Sequence, residues 1–205
     1  MFHQQPATIL RRRSKVIVLS GILVAAMCFF ATLLLPLEYR ADAQVFISSQ
    51  SRYGVDPYTV VKSSERIGEN LTQIMKTNDF YQKVISQPGY QLDTTRFQNI
   101  EERIKRKRWE KTISSSVVFG TGVLNVSAYH KNQQQAQAFA SAAVDALVQQ
   151  GKEYVGTDVT MKVVNYPVVT QFPVRPNIIV NTLLGFFVGV VGMGVLVLRK
   201  KRGLV

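Results

Sequence analysis

The sequence predicts an α+β membrane protein, in which two transmembrane helices flank one extracytoplasmic α/β domain. Three observations lead there. Residues 16–35 (VIVLSGILVAAMCFFATLLL) and 178–198 (IIVNTLLGFFVGVVGMGVLVL) carry no charge, and about 20 apolar residues cross the ~30 Å hydrocarbon core as a helix. Basic residues crowd the outer ends of both stretches. Between them, segments with strand period alternate with segments of helical period.

The charge map sets the topology. The chain has 205 residues, with 25 Lys+Arg against 13 Asp+Glu, for a net charge of +12. Arg11, Arg12, Arg13 and Lys15 directly precede the first apolar stretch, and Arg199, Lys200, Lys201 and Arg202 directly follow the second. Neither tail holds a carboxylate. Positive flanks stay in the cytoplasm, so residues 1–15 and 199–205 are expected inside and 36–177 outside. Two-thirds of the excess charge is thus a topology signal, which argues against nucleic acid as a partner. Ala41-Asp42-Ala43 resembles a signal-peptidase site, but an apolar run of twenty exceeds the 7–15 of a signal peptide. Glu38 and Arg40 also crowd that site, so an uncleaved anchor is expected. The single cysteine, Cys28, excludes a disulfide framework. Inside the first apolar stretch it reads as a small packing residue.

The elements of 36–177 follow in order. Arg40–Ser48 reads as a strand leaving the membrane, with Ala41, Ala43, Val45 and Ile47 on one face. Asp56-Pro57 starts a helix, because Asp caps and Pro suits the first helical position. Val60, Ser64, Ile67, Leu71 and Ile74/Met75 keep helical spacing along it. A shorter helix carries Phe80, Val84 and Ile85, and Gln87-Pro88-Gly89 ends it as a turn. Asp93-Thr94 is expected to cap a further helix bearing Phe97, Ile100 and Ile104, which runs into the basic residues 103–111 (RIKRKRWEK). Two strands, Thr112–Phe119 and Val123–Tyr129, flank Gly120-Thr121-Gly122, which is hairpin chemistry. Leu124, Val126 and Ala128 share one face. Asn132 opens a long helix to about Val155, with Ala136, Ala140, Ala143 and Leu147 as its stripe and Gln133, Gln134 and Gln135 facing solvent or an interface. Val159–Val164 is a last strand. Residues 166–177 then form a Pro-rich connector, since Pro167, Pro173 and Pro176 forbid a central strand. Side-by-side first and last strands would draw the two membrane helices together.

In this order the residues resemble the chain-length determinant (Wzz) proteins, also called polysaccharide co-polymerases. The resemblance rests on an apolar helix followed by the strand Tyr39-Arg40-Ala41-Asp42-Ala43. It continues in the strand-then-Ala-rich-helix unit LNVSAYHKNQQQAQAFASAAVDAL and the approach PVVTQFPVRPN to a glycine-rich second apolar stretch. It implies an inner-membrane protein that forms ring- or bell-shaped homo-oligomers. Such proteins set the length of O-antigen, capsule or exopolysaccharide made by a separate polymerase from a lipid-linked glycan, without being enzymes. The alternative is a membrane adaptor or activator of a separate tyrosine kinase in polysaccharide export. The outer segment is shorter than in members that carry a long helical arm.

Candidate residues fall into two groups. Pro167, Pro173 and Pro176 of the connector and Gly185, Gly189 and Gly192 of the second apolar helix are expected to set geometry and assembly. Gly185-x-x-x-Gly189 is the small-residue spacing that lets helices approach closely, with Gly192 on the same face and Gly21-x-x-x-Ala25 as a partner. Arg103, Lys105, Arg106, Lys107, Arg108 and Trp109 are candidates for contact with an anionic glycan, lipid head groups or the next subunit. A solvated helix end, with Trp109 as a packing anchor, is the plainer reading. His3 and His130 lie on opposite sides of the expected membrane. Adjacent Glu101 and Glu102 point in different directions on a helix, and no Gly-x-x-x-x-Gly-Lys-Ser/Thr loop occurs. No cofactor, metal or catalytic group is expected.

Overall fold

The computed structural model describes residues 10–49, 56–156 and 158–202. Residues 1–9, with His3 and much of the N-terminal tail, and residues 203–205 of the C-terminal tail lie outside the described residues. The chain divides into two compact units, Glu38–Pro173 and the segments on either side of it.

In Glu38–Pro173 strand β1 (Tyr39–Ser49) places Ala41, Ala43, Val45 and Ile47 inward, and all four are buried. Helix α1 (Ser14–Leu33) belongs to the other unit. Helix α2 (Pro57–Ile74) starts as its sequence requires, with the Asp56 carboxylate accepting from the Thr59 N–H at 3.4 Å. Helix α3 (Asn78–Ile85) is capped by Thr77, whose hydroxyl accepts from the Phe80 N–H. Helix α4 (Glu102–Thr112) leads into β2 (Ile113–Val117), which turns into β3 (Val123–His130). The Asn132 side chain caps α5 (Gln133–Gln150) by accepting from the Gln134 N–H at 2.8 Å. After Gly151 a single turn, α6 (Lys152–Val155), precedes β4 (Val159–Val169).

The sheet order is β2-β3-β1-β4, antiparallel throughout. The first and last strands of the unit are thus neighbours, with Ala41 paired to Val169 and Ser49 to Val159. β1 enters and β4 leaves at the same end. On one face α5 crosses β3, β1 and β4, while α2 crosses β1 and β2. Alanines 136, 140 and 143 let α5 settle close to the sheet, and Phe139 and Leu147 fill the remaining space. Full burial of a side chain such as Phe139 is worth about 1.5–3 kcal/mol. The opposite face is polar. There Gln44 donates to the Asn125 amide oxygen at 2.8 Å, and Asp42 accepts from Ser127 at 2.6 Å and from Arg40 at 2.8 Å.

Three expectations are corrected. No helix runs from Asp93 to Ile104. Thr95–Phe97 forms one 3-10 turn, Asn99 takes a left-handed conformation (φ 52°), and the basic residues begin a separate helix, α4. The long helix stops at Gln150 rather than Val155. β4 also takes in Tyr166–Val169, assigned above to the connector. Pro167 is tolerated there because β4 is an edge strand.

The other unit holds helix α1 (Ser14–Leu33) and helix α7 (Ile178–Arg202), both long and apolar enough by length and composition to cross a membrane. They pack against each other. Their contact is lined by small residues, Gly21 on α1 and Gly185 and Gly189 on α7. A Cβ on Gly185 would meet the Cys28 sulfur at 2.7 Å, so Cys28 is a packing residue at this seam. Two polar contacts join the helices: the Asn181 amide donates to the Thr32 hydroxyl at 3.3 Å, and the Ser20 hydroxyl donates to the Gly189 carbonyl at 3.5 Å. Gly192 is not part of this seam. The seam on α7 follows the every-fourth row Gly185, Gly189, Met193 and Val197. That row turns away from Gly192, where an added Cβ would meet nothing within 4 Å. Leu19, Leu23, Met27, Phe30, Phe187, Val188 and Leu196 point outward from the pair.

Candidate functional site

The basic residues form one amphipathic helix with two unlike faces. Trp109 and Thr112 of α4 point inward and are buried. The indole N–H of Trp109 donates to the Met75 carbonyl at 2.8 Å, and Tyr81, Phe97 and Phe139 surround the ring. With 1% of its surface exposed, Trp109 offers no face to a sugar. Of the two readings given for Trp109, its burial and satisfied N–H fit the packing anchor. Lys105 is also turned in. Its ammonium lies 4.7 Å from the centre of the Tyr81 ring and 3.8 Å from the Glu102 carboxylate. Arg103, Arg106 and Lys107 occupy the opposite, exposed side, where helical spacing groups them.

Arg108 takes a third direction. Its guanidinium donates to the Arg96 carbonyl at 2.6 Å and helps line a shallow cleft of about 310 Å³ with Asp93, Thr95, Arg96, His130 and Lys131. Arg96 is fixed from behind, with Nη2 donating to Glu38 at 3.1 Å and Nη1 to the Thr112 hydroxyl at 3.5 Å. The Asp93 carboxylate accepts from both the N–H and the hydroxyl of Thr95. Those bonds hold its pKa below the usual value.

His130 closes the floor of the cleft. It is buried, and its ring stacks on Phe139 with centroids 6.0 Å apart. Its Nδ1 accepts from the Asn132 N–H at 3.1 Å, so the neutral ring carries its proton on Nε2, 3.7 Å from Asp93. Burial, and then the Arg96 charge, push its pKa below the ordinary value.

Several supporting residues escaped the sequence reading. Gln133 donates to the carbonyls of Thr170 and Gln171, each at 3.2 Å, and Gln137 to that of Pro167 at 3.3 Å. Gln135 accepts from the Asp93 N–H at 2.8 Å and donates to the Gln91 carbonyl at 3.0 Å. The glutamines of α5 thus hold the cleft loop and the start of the connector. Only their crowding in the first turn of the helix hinted at this. Of the connector prolines, Pro167 lies within β4, while Pro173 and Pro176 follow it, with the Arg175–Pro176 bond cis. Among the described residues no group of three His, Cys, Asp or Glu could hold a metal ion. The arrangement is suited to holding an anion.

The family model described as chain length determinant protein (Wzz) matches residues 7–88. No curated protein matches the chain. The matched stretch includes α1, β1, α2 and α3, the part in which the first apolar helix leads directly into the central strand of the sheet. Over residues 7–88, about two-fifths of its length, the chain is similar to the chain length determinant (Wzz) proteins.

Proposed function

We propose that the protein regulates polysaccharide chain length as a non-enzymatic, homo-oligomeric membrane scaffold for a separate polymerase. The family implies chain-length regulation and work alongside the polysaccharide machinery in the inner membrane. The observation that carries the reading is the match over 7–88, which joins the first apolar helix to the strand that centres the sheet. The outward apolar side chains of α1 and α7 support a bilayer position, since such a surface is unfavourable in water. The basic flanks favour both termini inside and Glu38–Pro173 outside. In this reading identical subunits gather through the outer units and the helices, holding the polymerase near the growing lipid-linked glycan. Chain length then follows how long that assembly persists.

The test is a gel of surface polysaccharide with the gene deleted and restored. A modal length distribution that turns random on deletion and returns on restoration supports the scaffold. Complete loss of polymer would favour the tyrosine-kinase adaptor, and capture of the kinase by the full chain would then establish it. An unchanged ladder in a strain without a second copy would overturn both.

A further inference from the structure

We propose that the cleft formed by Arg96, Arg108 and Lys131 binds the phosphate group of an anionic ligand. The inference does not depend on the chain-length reading. Three cations reach the cleft from three separate segments: the 3-10 turn (Arg96), helix α4 (Arg108) and the junction of β3 with α5 (Lys131). Among the described residues neither Arg108 nor Lys131 has a carboxylate within ion-pair distance. The two guanidinium groups are already positioned. Glu38 and Thr112 hold Arg96, and the Arg96 carbonyl holds Arg108 by one Nη. The remaining N–H groups of Arg108 are left for a ligand. A planar guanidinium with a fixed orientation suits two oxygens of a phosphate at once.

The carboxylates of the cleft do not cancel this charge. Glu38 is committed to Arg96, and Asp93 is turned onto the Thr95 N–H and hydroxyl. Arg108 and Lys131 then face a single carboxylate. Donors that converge from three directions suit a tetrahedral group with at least three oxygens better than a flat carboxylate with two. The cleft is open to one side, so the body of a larger ligand can remain outside. It also lies at the end of the sheet where Tyr39 pairs with His130, the end at which the chain enters this unit. The phosphate could come from a bilayer head group or from a soluble ligand, and the two arms of the test separate these sources.

In the first arm the full chain in dodecyl maltoside micelles, which lack phosphate, is titrated with inorganic pyrophosphate by calorimetry. Saturable binding is expected. Arg108→Gln and Lys131→Gln should each weaken it about tenfold, the scale of one lost charge-assisted hydrogen bond. The pair Arg103→Gln/Arg106→Gln removes two cations of the same helix that face away from the cleft, and it should leave binding within about twofold. Lys131 is exposed, so its substitution keeps the test valid if Arg108→Gln misfolds. Absence of saturable binding, or equal weakening by the Arg103/Arg106 pair, overturns the proposal. In the second arm the titration is repeated in phosphatidylglycerol nanodiscs. Loss of pyrophosphate binding there, relative to micelles, assigns the cleft to a lipid head group. Unchanged binding assigns it to a soluble phosphate-bearing ligand.

Discussion

Gly21 of α1 and Gly189 of α7 face each other so closely that a Cβ on Gly189 would stand 2.9 Å from the Gly21 Cα. The other near atoms are the Ser20 carbonyl oxygen at 2.9 Å and the Val24 Cβ at 3.0 Å, neither of which a side-chain rotation can move, so the clash is not relieved. Gly189→Leu must push the helices apart. Overpacking of this kind costs about 1–3 kcal/mol. We expect a lower unfolding temperature in detergent and a changed native mass, with membrane insertion intact. Gly192→Leu places its side chain in open space and serves as the control. Equal behaviour of the two variants, or an unchanged native mass for Gly189→Leu, would remove the glycine seam from the account of assembly.

Trp109 tests whether the basic helix is held by its buried face. Trp109→Ala removes the ring at the centre of the Tyr81, Phe97 and Phe139 cluster and leaves the Met75 carbonyl without its donor. A loss of about 3–5 kcal/mol is expected, read as a large drop in thermal unfolding temperature. Trp109→Phe keeps part of the ring volume and should lose less. By contrast, Arg103→Gln on the exposed side should change stability by less than about 0.5 kcal/mol. If Trp109→Ala were as mild as Arg103→Gln, the packing role would be untenable.

His130 gives stability a pH dependence of known sign. Its folded-state pKa lies below the ordinary 6.5 because of burial and then Arg96. The unfolded chain therefore takes up the proton first as pH falls. This contribution is fully present above about pH 6.5 and declines as pH drops from there toward the lower folded-state value. Asp93 and Glu65, both held low by hydrogen bonds, add slope only near and below their ordinary values of 3.8 and 4.5. Unfolding temperatures between pH 7 and 5 should fall for the natural protein and flatten in His130→Asn. A slope that persists unchanged in the variant would place its origin elsewhere.

The hairpin offers a comparison of two glycines two residues apart. At Gly122 an added Cβ would sit 2.2 Å from the Ile47 carbonyl oxygen, while the Gly122 carbonyl accepts from the Ile47 N–H at 2.7 Å. At Gly120 the space is open, and only its φ of +70° resists a side chain. Gly120→Ala should cost about 1 kcal/mol from the left-handed backbone. Gly122→Ala must displace the strand itself and should cost more. Hydrogen exchange at the Ile47 amide would show it, since that amide should exchange faster in Gly122→Ala and not in Gly120→Ala.

Much of the fold was legible because it rests on local rules. Period-two burial from Ala41 to Ile47, the caps at Asp56 and Asn132, and the glycines of the hairpin each act within a few residues. The segment between Asp93 and Glu102 misled because Asp93 is an attractive cap by type. Its carboxylate instead closes a turn on Thr95, and the left-handed Asn99 interrupts any helix before α4 begins. The cleft was less readable still. Its framework consists of side-chain contacts across long stretches of chain: Arg96 to Glu38, Gln135 to Gln91 and Asp93, and Trp109 to Met75. Residue type alone named the basic residues 103–108. Only the packed positions of Trp109 and Lys105 showed which of them face outward.

The pairing of β1 with β4 carries a mechanical consequence. Both apolar helices connect to this unit through strands that meet at one end of the sheet, where the Thr170 N–H donates to the Arg40 carbonyl at 2.8 Å and the Arg40 N–H to the Thr170 hydroxyl at 3.1 Å. Antiparallel ladder bonds lie across the strands. Tension that draws the two tethers apart therefore loads the rungs one at a time, beginning with the Arg40–Thr170 pair, in the manner of a zipper. Tension applied between this end and the far end of the sheet would load many rungs together. The unit thus yields to splaying of its legs long before it yields to stretching, and Arg40–Thr170 is the rung where that yielding starts.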